Sequence, residues 1–557
     1  MNKNISHSDR RTFLGRISTA GAASVAASVI GLEPIFGTRR SESNAAQSSN
    51  QRANDCAKLR RDAAQVGLQN TPSNLQHPNN ADETLYANKL ASYSKGLPHN
   101  DDGTVVLSAY ESLLQAINSR RPADFDAIPL GGDRKLTNPQ SGLAFDMQGA
   151  DAHSLVQPPA PAFASREQAA EISENYWMAL LRDVPYSQYQ GNPTANAAAN
   201  DLSLYGSDFK GAKSGGAVTT GTLFRGLTPG DKAGPYLSQY FYQNCNFGAN
   251  KLEQKTTTTL PGINYMTDFD TWLAVQRGFS QGPDALDPMQ RYMRNGRDIG
   301  QWVHIDVLFQ AYFQAFLVLA GAGAPVDDAN PYANNPTQIG FGTFGGPHIA
   351  TVLCEVSTRA LKSVWFQKWF VHRRLRPEVQ AARVDRTLHH GAAYPVHAEV
   401  LSSLSSGLRL GGYMPSGNSL LPMAFPEGSP THPAYGAGHA TVAGACVTIL
   451  KCWFKEDTKL VDIGLVPVEP TSDGLALVPY IGSDAGELTV GGELNKIASN
   501  VALGRNTAGV HWRSDANESL KLGEQVAINL LREARACYNE VFNGFSLTKF
   551  DGTTITV

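Results

Sequence analysis

The chain has 557 residues, of which 42% are apolar and 17% are charged, and its formal net charge is -3. This length and composition predict a large buried core in one large domain or a few smaller ones, and the near-neutral charge argues against a nucleic-acid-binding surface. The six cysteines form no CxxC pair, which argues against a zinc or thioredoxin-type centre. Cys446 and Cys452 are not expected to pair, and other pairings stay open.

The N-terminal segment has the pattern of an export signal. Arg10 and Arg11 precede Thr-Phe-Leu, and a weakly apolar, alanine-rich stretch follows as far as Leu32. This pattern is typical of a twin-arginine signal; an amphipathic helix is the alternative. We therefore predict that residues 1–45 are a signal and leader, that the protein is exported to the periplasm or cell exterior, and that the mature chain has no membrane span.

Apolar residues at spacings of three and four predict several helices along the chain. Ser165 and Gln168 have the spacing of a capping box at the start of the first one, which ends near residue 183. The stretch 303–321 is apolar nearly all round and predicts one buried helix, and Pro377 is predicted to end a helix over 351–375. The remaining predicted elements are helices over 440–454 and 516–536 and hairpins over 465–480 and 546–557.

These elements predict a mainly α fold of helical bundles with small β-hairpins. We divide the chain after the leader into an N-terminal helical part with long loops, 46–350, and a C-terminal helical part, 351–557. The C-terminal part contains three clusters of chemically active side chains.

The first cluster is "KWFVHRRLRPE", in which Lys368 and Arg376 lie eight residues apart. On one helix they would differ by about 80° and could both face one site. The alternative is that these cations only complement the dipole at a helix C-terminus.

The second cluster is "THPAYGAGHAT", which contains His432 and His439. Gly436 and Gly438 allow the backbone to approach a ligand closely, and the following helix begins with free N–H groups that favour an anion. The alternative is a proline-glycine loop in which His439 is an ordinary N-terminal residue.

The third cluster is "GRNTAGVHWRSD", with Arg505 and His511 six residues apart. Asp515 follows His511 by four and could accept a proton from one ring nitrogen, which would fix the tautomer. The alternative is that Asp515 caps the next helix, with Glu518 completing a capping box; the two roles are compatible.

Together the clusters predict a pocket for a tetrahedral or trigonal-bipyramidal oxyanion. One lysine and two arginines would neutralise its oxygens, and each charge-assisted hydrogen bond contributes roughly 1.5–3 kcal/mol. One histidine would act as an apical ligand or nucleophile, and a second would act as an acid or base.

The order "K…RP", "GH" and "R-x5-H-x3-D" resembles the superfamily shared by vanadium-dependent haloperoxidases and type 2 phosphatidic acid phosphatases. The stretches "KLTNPQSGLAFD", "FGTFGGP" and "THPAYGAGHAT" are most similar to the vanadium bromoperoxidases of red algae and their bacterial relatives. The resemblance extends over residues 135–515. It implies a nearly all-α fold with two four-helix bundles, and a homo-oligomer, either a dimer or a larger assembly.

The resemblance also implies a cofactor and its ligands. Orthovanadate would bind His511 through a ring nitrogen, Gly438 would donate a backbone N–H, and the vanadate oxygens would be held by Lys368, Arg376 and Arg505. A structural calcium ion is a further implication, with no ligands assigned.

The catalytic roles follow from the same resemblance. His439 would be the acid–base residue, Lys368 would activate the peroxide oxygen, and Asp515 would orient the vanadate-binding histidine. His432 stands where bromoperoxidases have histidine, which favours bromide over chloride. One departure is Ala437, in "GAGH" where the family usually has "PSGH". The missing serine hydroxyl removes one hydrogen bond to the oxyanion.

The implied activity is oxidation of bromide, and iodide, by hydrogen peroxide to hypohalous acid, which halogenates small organic acceptors. Two alternatives stay open at this point. One is an acid phosphatase in which His511 forms a phosphohistidine, and the other is a non-catalytic oxyanion-binding protein.

Overall fold

The computed structural model describes residues 49–405 and 417–557, which contain fifteen α-helices and three two-stranded antiparallel sheets. The predicted signal and leader, residues 1–45, lie outside this described part. The predicted mainly α fold with small hairpins is confirmed. In chain order the helices are α1 Ser49–Asn70, α2 Asp82–Leu85, α3 Leu107–Ser119, α4 Pro122–Asp126, α5 Arg166–Leu180, α6 Pro193–Leu204, α7 Phe269–Arg277, α8 Gly296–Ile305, α9 Gln310–Gly321, α10 Gly346–Phe366, α11 Pro377–His389, α12 Ala398–Ser405, α13 Gly438–Trp453, α14 Val490–Thr507 and α15 Arg513–Arg535.

The three sheets are short hairpins at the surface of the helical bundle. Both predicted hairpins are present, and the last one turns at Asp551-Gly552 as expected, with Gly552 at φ 83°. The sequence analysis did not anticipate the first hairpin. The strands are β1 Cys245–Phe247 with β2 Asn250–Leu252, β3 Val468–Pro470 with β4 Leu477–Pro479, and β5 Ser546–Thr548 with β6 Thr554–Thr556.

Helix α5 begins as its sequence predicts. The hydroxyl of Ser165 accepts a hydrogen bond from the backbone N–H of Gln168 at 3.1 Å, which satisfies one of the free donors at the helix N-terminus. Nearly all of this helix is buried, so the capped end fixes a core element.

The single helix predicted over 303–321 is wrong. Two helices, α8 and α9, meet there at an angle of 101°, and the chain between Ile305 and Gln310 is not helical. Asp306 lies in this break, where its carboxylate reaches another part of the chain. The break therefore frees both a side chain and the last carbonyl groups of α8.

The helix predicted over 351–375 is also wrong at its C-terminal end. α10 stops at Phe366, a π-helical turn over Gln367–His372 follows, and Arg373 adopts a left-handed conformation with φ 37°. Pro377 begins α11 instead of ending a helix, a position where its missing N–H costs nothing. Lys368 and Arg376 are therefore not on one helix face, and a chain reversal brings them together.

The centre of the C-terminal part is α13, which is buried along its whole length and packs against α10, α14 and α15. Its contact with α15 is unusually close. A Cβ at Gly523 would lie 1.9 Å from the carbonyl oxygen of Thr441, and a Cβ at Gly444 would lie 2.1 Å from that of Leu520. Only glycine fits at these two positions.

All six cysteines belong to the described residues, and all are free. In this described part of the chain, no single helix is long and apolar enough to cross a membrane, although the bent pair α8 and α9 passes the test by length and composition. Residues Ala53–Val557 form one compact unit.

Candidate active site

Lys368 and Arg376 hold the loop that contains the second cluster. The ammonium of Lys368 is buried and donates to the carbonyls of Pro433 and Ala434, at 2.8 and 3.0 Å. The guanidinium of Arg376 donates to the carbonyl of His432 at 2.8 Å. The first cluster thus places the second one against it.

Arg376 also connects the first cluster to the third. It donates to the carbonyl of Val510 at 2.6 Å and to Nε2 of His511 at 3.1 Å. Another of its nitrogens lies 2.9 Å from Nδ1 of His432. One guanidinium therefore contacts both histidines.

Arg505, at the C-terminal end of α14, completes the cationic wall. It donates to the carbonyl of Val303 at 2.8 Å, one of the carbonyls freed where α8 ends. Its charge lowers the pKa of His511, His432 and Lys368, which places it in the same pocket. Its Nε–H is buried and has no hydrogen-bond partner.

The turn between α14 and α15 orients His511. Gly509 has φ 86°, and the chain then reverses so that Nδ1 of His511 lies 2.7 Å from Oδ2 of Asp515. Because this carboxylate accepts the Nδ1 proton, Nε2 keeps its lone pair and faces the cations. The imidazole is thus prepared as a ligand.

Asp515 has a second role at the start of α15. It accepts from the backbone N–H of Trp512 at 3.2 Å and from Arg374 at 2.8 Å. Asp515 therefore caps the next helix as predicted, but from its third position, because the helix begins at Arg513 and Trp512 is the N-cap residue. The predicted role of Glu518 in a capping box is wrong, because Glu518 pairs with Lys521 at 2.8 Å.

His439 is the second residue of α13, and its Nε2 lies 2.9 Å from Oδ1 of Asp306 in the break between α8 and α9. Its side chain is 16% exposed, whereas Lys368 and Arg376 are fully buried. The pocket therefore opens beside His439.

The pKa values reflect a buried site with excess positive charge. Burial, followed by Arg376, lowers the pKa of Lys368 well below its usual range. Burial, Arg376 and the other cations likewise lower the pKa of His511, and burial lowers that of Arg505 to about 10. Each shift reports the cost of holding these charges out of water, so an anion in the pocket would offset that cost.

The donor set fits an oxyanion. Gly438 is the first residue of α13, whose N-terminal amides face the pocket loop. The side chain of Trp365 closes over this position, and a Cβ at Gly438 would lie 3.1 Å from its ring. The free Nε–H of Arg505 is a further donor. No group of three or more His, Cys, Asp or Glu side chains suited to a metal ion occurs within residues 49–405 and 417–557.

Several residues of the pocket were not found from the sequence. Asp306 is hidden inside an apolar run, and Arg374 looks like a member of the same basic cluster as Arg376. The ring centroids of Trp365 and His432 are 4.8 Å apart, so the two rings pack against each other. The Lys368 ammonium lies 5.6 Å from the Trp365 ring centroid, which is a cation–π contact. The "HIDV", "SVWFQ" and "HRRLRPE" stretches contain these residues, but none of the stretches indicates what its residues contact.

These features define a mainly α protein with a buried pocket in which three cations surround one imidazole. The sequence model of a family described as "VCPO second helical-bundle domain" matches residues 412–540. The vanadium-dependent bromoperoxidase of Corallina pilulifera is 36% identical, with 86% of this chain and 94% of that protein covered. This chain therefore belongs to the vanadium-dependent bromoperoxidase family.

Two relatives from Ascophyllum nodosum extend the comparison to another alga and to a solved structure. A vanadium-dependent bromoperoxidase of that alga is 34% identical, with 84% of this chain and 88% of that protein covered. The homohexameric structure of its second vanadate-dependent bromoperoxidase matches with a TM-score of 0.85 and 30% identity, covering 97% of this chain and 95% of that one.

Proposed function

We propose that the pocket binds orthovanadate and uses hydrogen peroxide to oxidise bromide, and iodide, to hypohalous acid, which halogenates small organic acceptors. The observation that supports this most is the set of three buried cations around an imidazole whose Nε2 carries no proton and faces them. Membership in the bromoperoxidase family supports it independently. The comparisons support neither the phosphatase nor the non-catalytic alternative.

Each residue of the pocket has a role in holding the anion. Lys368, Arg376 and Arg505 would donate to the oxygens of vanadate, and the backbone N–H of Gly438 would add a neutral donor. Nε2 of His511 would be the metal ligand. Asp515 would keep the proton of this imidazole on Nδ1, as their contact of 2.7 Å requires.

When bound, vanadate supplies a Lewis acid that activates peroxide without a change of oxidation state. His439 is placed to move the peroxide proton. Burial is the main cause that lowers its pKa, so the ring is neutral at neutral pH. Its Nε2–H donates to Asp306, which leaves Nδ1 as the proton acceptor.

Lys368 and His432 would act on the reacting oxygen and the halide. The Lys368 ammonium lies in the pocket wall and can donate to a peroxide oxygen, which makes that oxygen a better electrophile. His432 is held against Arg376 at 2.9 Å, and we assign it to the halide. The preference for bromide over chloride rests on the resemblance of this position to the bromoperoxidases.

A paired assay tests the function. Vanadate-loaded protein should brominate a dye only when both bromide and peroxide are present, and vanadate-free protein should hydrolyse an aryl phosphate poorly. Bromination that does not depend on vanadate would contradict the proposal. Hydrolysis of the aryl phosphate by the vanadate-free protein at a higher rate than bromination by the vanadate-loaded protein would also contradict it.

Export, assembly and calcium are separate proposals. Arg10 and Arg11 support twin-arginine export, and replacing both by lysine should retain the protein in the cytoplasm in a fractionation experiment. The homohexameric relative supports a homo-oligomer, which light scattering would measure. A structural calcium ion stays a prediction, which elemental analysis of the purified protein would test.

A further inference from the structure

His304 lies beside the pocket and is fixed by two carboxylates. Its Nε2 lies 2.7 Å from Oε1 of Glu427, and its Nδ1 lies 3.2 Å from Oδ2 of Asp284. Burial alone would lower its pKa, but the two carboxylates of Asp284 and Glu427 outweigh burial and raise it. The ring therefore has one orientation and carries a proton more readily than a free histidine.

The fixed imidazole stacks on Phe425. The two ring centroids are 3.7 Å apart and the planes differ by 12°. Phe425 is buried and in turn contacts Arg505, whose guanidinium carbon lies 5.6 Å from the ring centroid. One face of the phenyl ring is covered by His304, so the guanidinium reaches the ring from the remaining face or edge.

Both contacts that fix the guanidinium of Arg505 thus depend on the surroundings of His304. One is the Phe425 ring on which His304 stacks. The other is the carbonyl of Val303, the residue directly before His304 at the end of α8. Among the described residues no carboxylate lies within 4 Å of the Arg505 guanidinium, although the more distant charges of Asp306 and Glu427 partly oppose the lowering of its pKa. The carbonyl and the ring are therefore the contacts that fix its direction.

We propose that His304 is a positioning residue for Arg505. Its ring holds Phe425 against the guanidinium and thereby sets the direction of the buried, unpartnered Nε–H. This inference rests on the proposed function, because it assigns Arg505 to vanadate. It adds a residue that does not itself touch the anion.

Calorimetric titration of the vanadate-free protein with orthovanadate tests the inference. His304→Leu removes the stacked ring and should weaken vanadate binding by about 10–100-fold, the usual effect of losing a residue that orients a ligand. His304→Phe keeps a flat ring and should retain most of the affinity. Equal affinity of His304→Leu and the wild type would overturn the inference, and so would a His304→Phe variant as weak as His304→Leu.

A double-mutant cycle separates positioning from a general structural effect. Because His304 acts through Arg505, adding His304→Leu to Arg505→Lys should cause no further loss of vanadate affinity. Fully additive losses would contradict the proposal. If His304→Leu does not fold, Phe425→Leu replaces it in the experiment. Vanadate affinity equal to that of the wild type in Phe425→Leu would also contradict the proposal.

His348→Leu is a matched control. This histidine also packs against aromatic rings, including Trp453 with centroids 5.5 Å apart, and accepts a hydrogen bond from the backbone of Phe344 at 3.0 Å. Its loss should lower the melting temperature and leave vanadate affinity unchanged. A wild-type protein that does not bind vanadate at all would disprove the proposed function itself, a result distinct from any difference among these variants.

Discussion

Two groups of buried cations lie side by side in the same motifs, and they are neutralised in different ways. Arg374 bonds the carboxylates of Glu171 and Asp515, at 2.6 and 2.8 Å. Arg376, two residues later, bonds main-chain carbonyls and histidine nitrogens. Arg373 and Arg513 belong with Arg374, because each pairs with a glutamate.

The difference separates structural cations from functional ones. A buried ion pair is complete in the folded protein, and removing one partner leaves a charge without compensation. The cations Lys368, Arg376 and Arg505 have no such partner among the described residues, and burial lowers the pKa of each. An unpaired buried cation costs free energy, which an anionic ligand would offset.

The largest expected effect is that of His511→Ala. Loss of the metal ligand should abolish peroxide-dependent bromination, by about a thousandfold or more. The melting temperature of the vanadate-free protein should change little, because the cations of the pocket keep their carbonyl partners. Bromination at the wild-type rate in this variant, measured on a dye after loading with vanadate, would contradict the assignment.

Arg374→Leu and Arg376→Leu test the comparison directly. The first should destabilise the protein by about 3–5 kcal/mol, because Glu171 and Asp515 would remain buried without their cation. The second should change the free energy of unfolding far less and weaken vanadate binding about a hundredfold, through the loss of charge-assisted hydrogen bonds. Denaturant titration and calorimetry measure the two quantities, and similar losses of stability in both variants would end the distinction.

Asp306→Asn should shift the pH dependence of bromination. Burial lowers the pKa of His439 and the charge of Asp306 raises it, so removing that charge lowers the pKa further. In the proposed mechanism His439 acts as a base when it is neutral, so activity is lost as the pH falls through its pKa. The acidic limb of the profile should therefore move to lower pH, by about one unit.

The exposed pair of Asp328 and Lys455 provides the control for this experiment. Its atoms lie 2.9 Å apart and the Asp328 side chain is 77% exposed, so Asp328→Asn should leave the profile in place. An acidic limb that moves to higher pH in Asp306→Asn would show that the aspartate does not act on His439.

Ala437→Ser should have the smallest effect. Ala437 directly precedes Gly438, and its own N–H is occupied by the hydroxyl of Ser519 at 2.8 Å. A serine hydroxyl there would restore the hydrogen bond that the family pattern includes, and a single such bond contributes about 1 kcal/mol. Vanadate should bind about fivefold more tightly by calorimetric titration, and weaker binding would show that the hydroxyl does not face the anion.

Local patterns in the sequence predicted local structure well. The N-cap at Ser165 and the two later hairpins depend on neighbouring residues alone, and they are present. The second half of the predicted capping box is absent, because the Gln168 side chain bonds Gln380 and Arg374 instead. The wrong helix over 303–321 depends on a distant contact, because Asp306 leaves the helical path where its carboxylate bonds His439, 133 residues away. The spacing of apolar residues along the sequence carries no information about such a distant partner.

The candidate site shows the same limit. The three clusters named the residues that converge, but the sequence could not tell Arg374 from Arg376. The carboxylate of Glu171 that pairs with Arg374 lies 203 residues earlier, and a basic run by itself carries no sign of it. The roles assigned to the individual residues of the pocket stay predictions until the variants are measured.

The glycine contact between α13 and α15 has a consequence for catalysis. His439 is the second residue of one of these helices, about 8 Å along the axis from Gly444, and Asp515 lies about 12 Å along the other from Gly523. Two Cα atoms without side chains in the core thus fix the spacing between the His439 ring and the carboxylate that orients His511. Replacing Gly444 or Gly523 by alanine would push the two helices apart and change this spacing. Activity would then fall although every side chain of the pocket is still present.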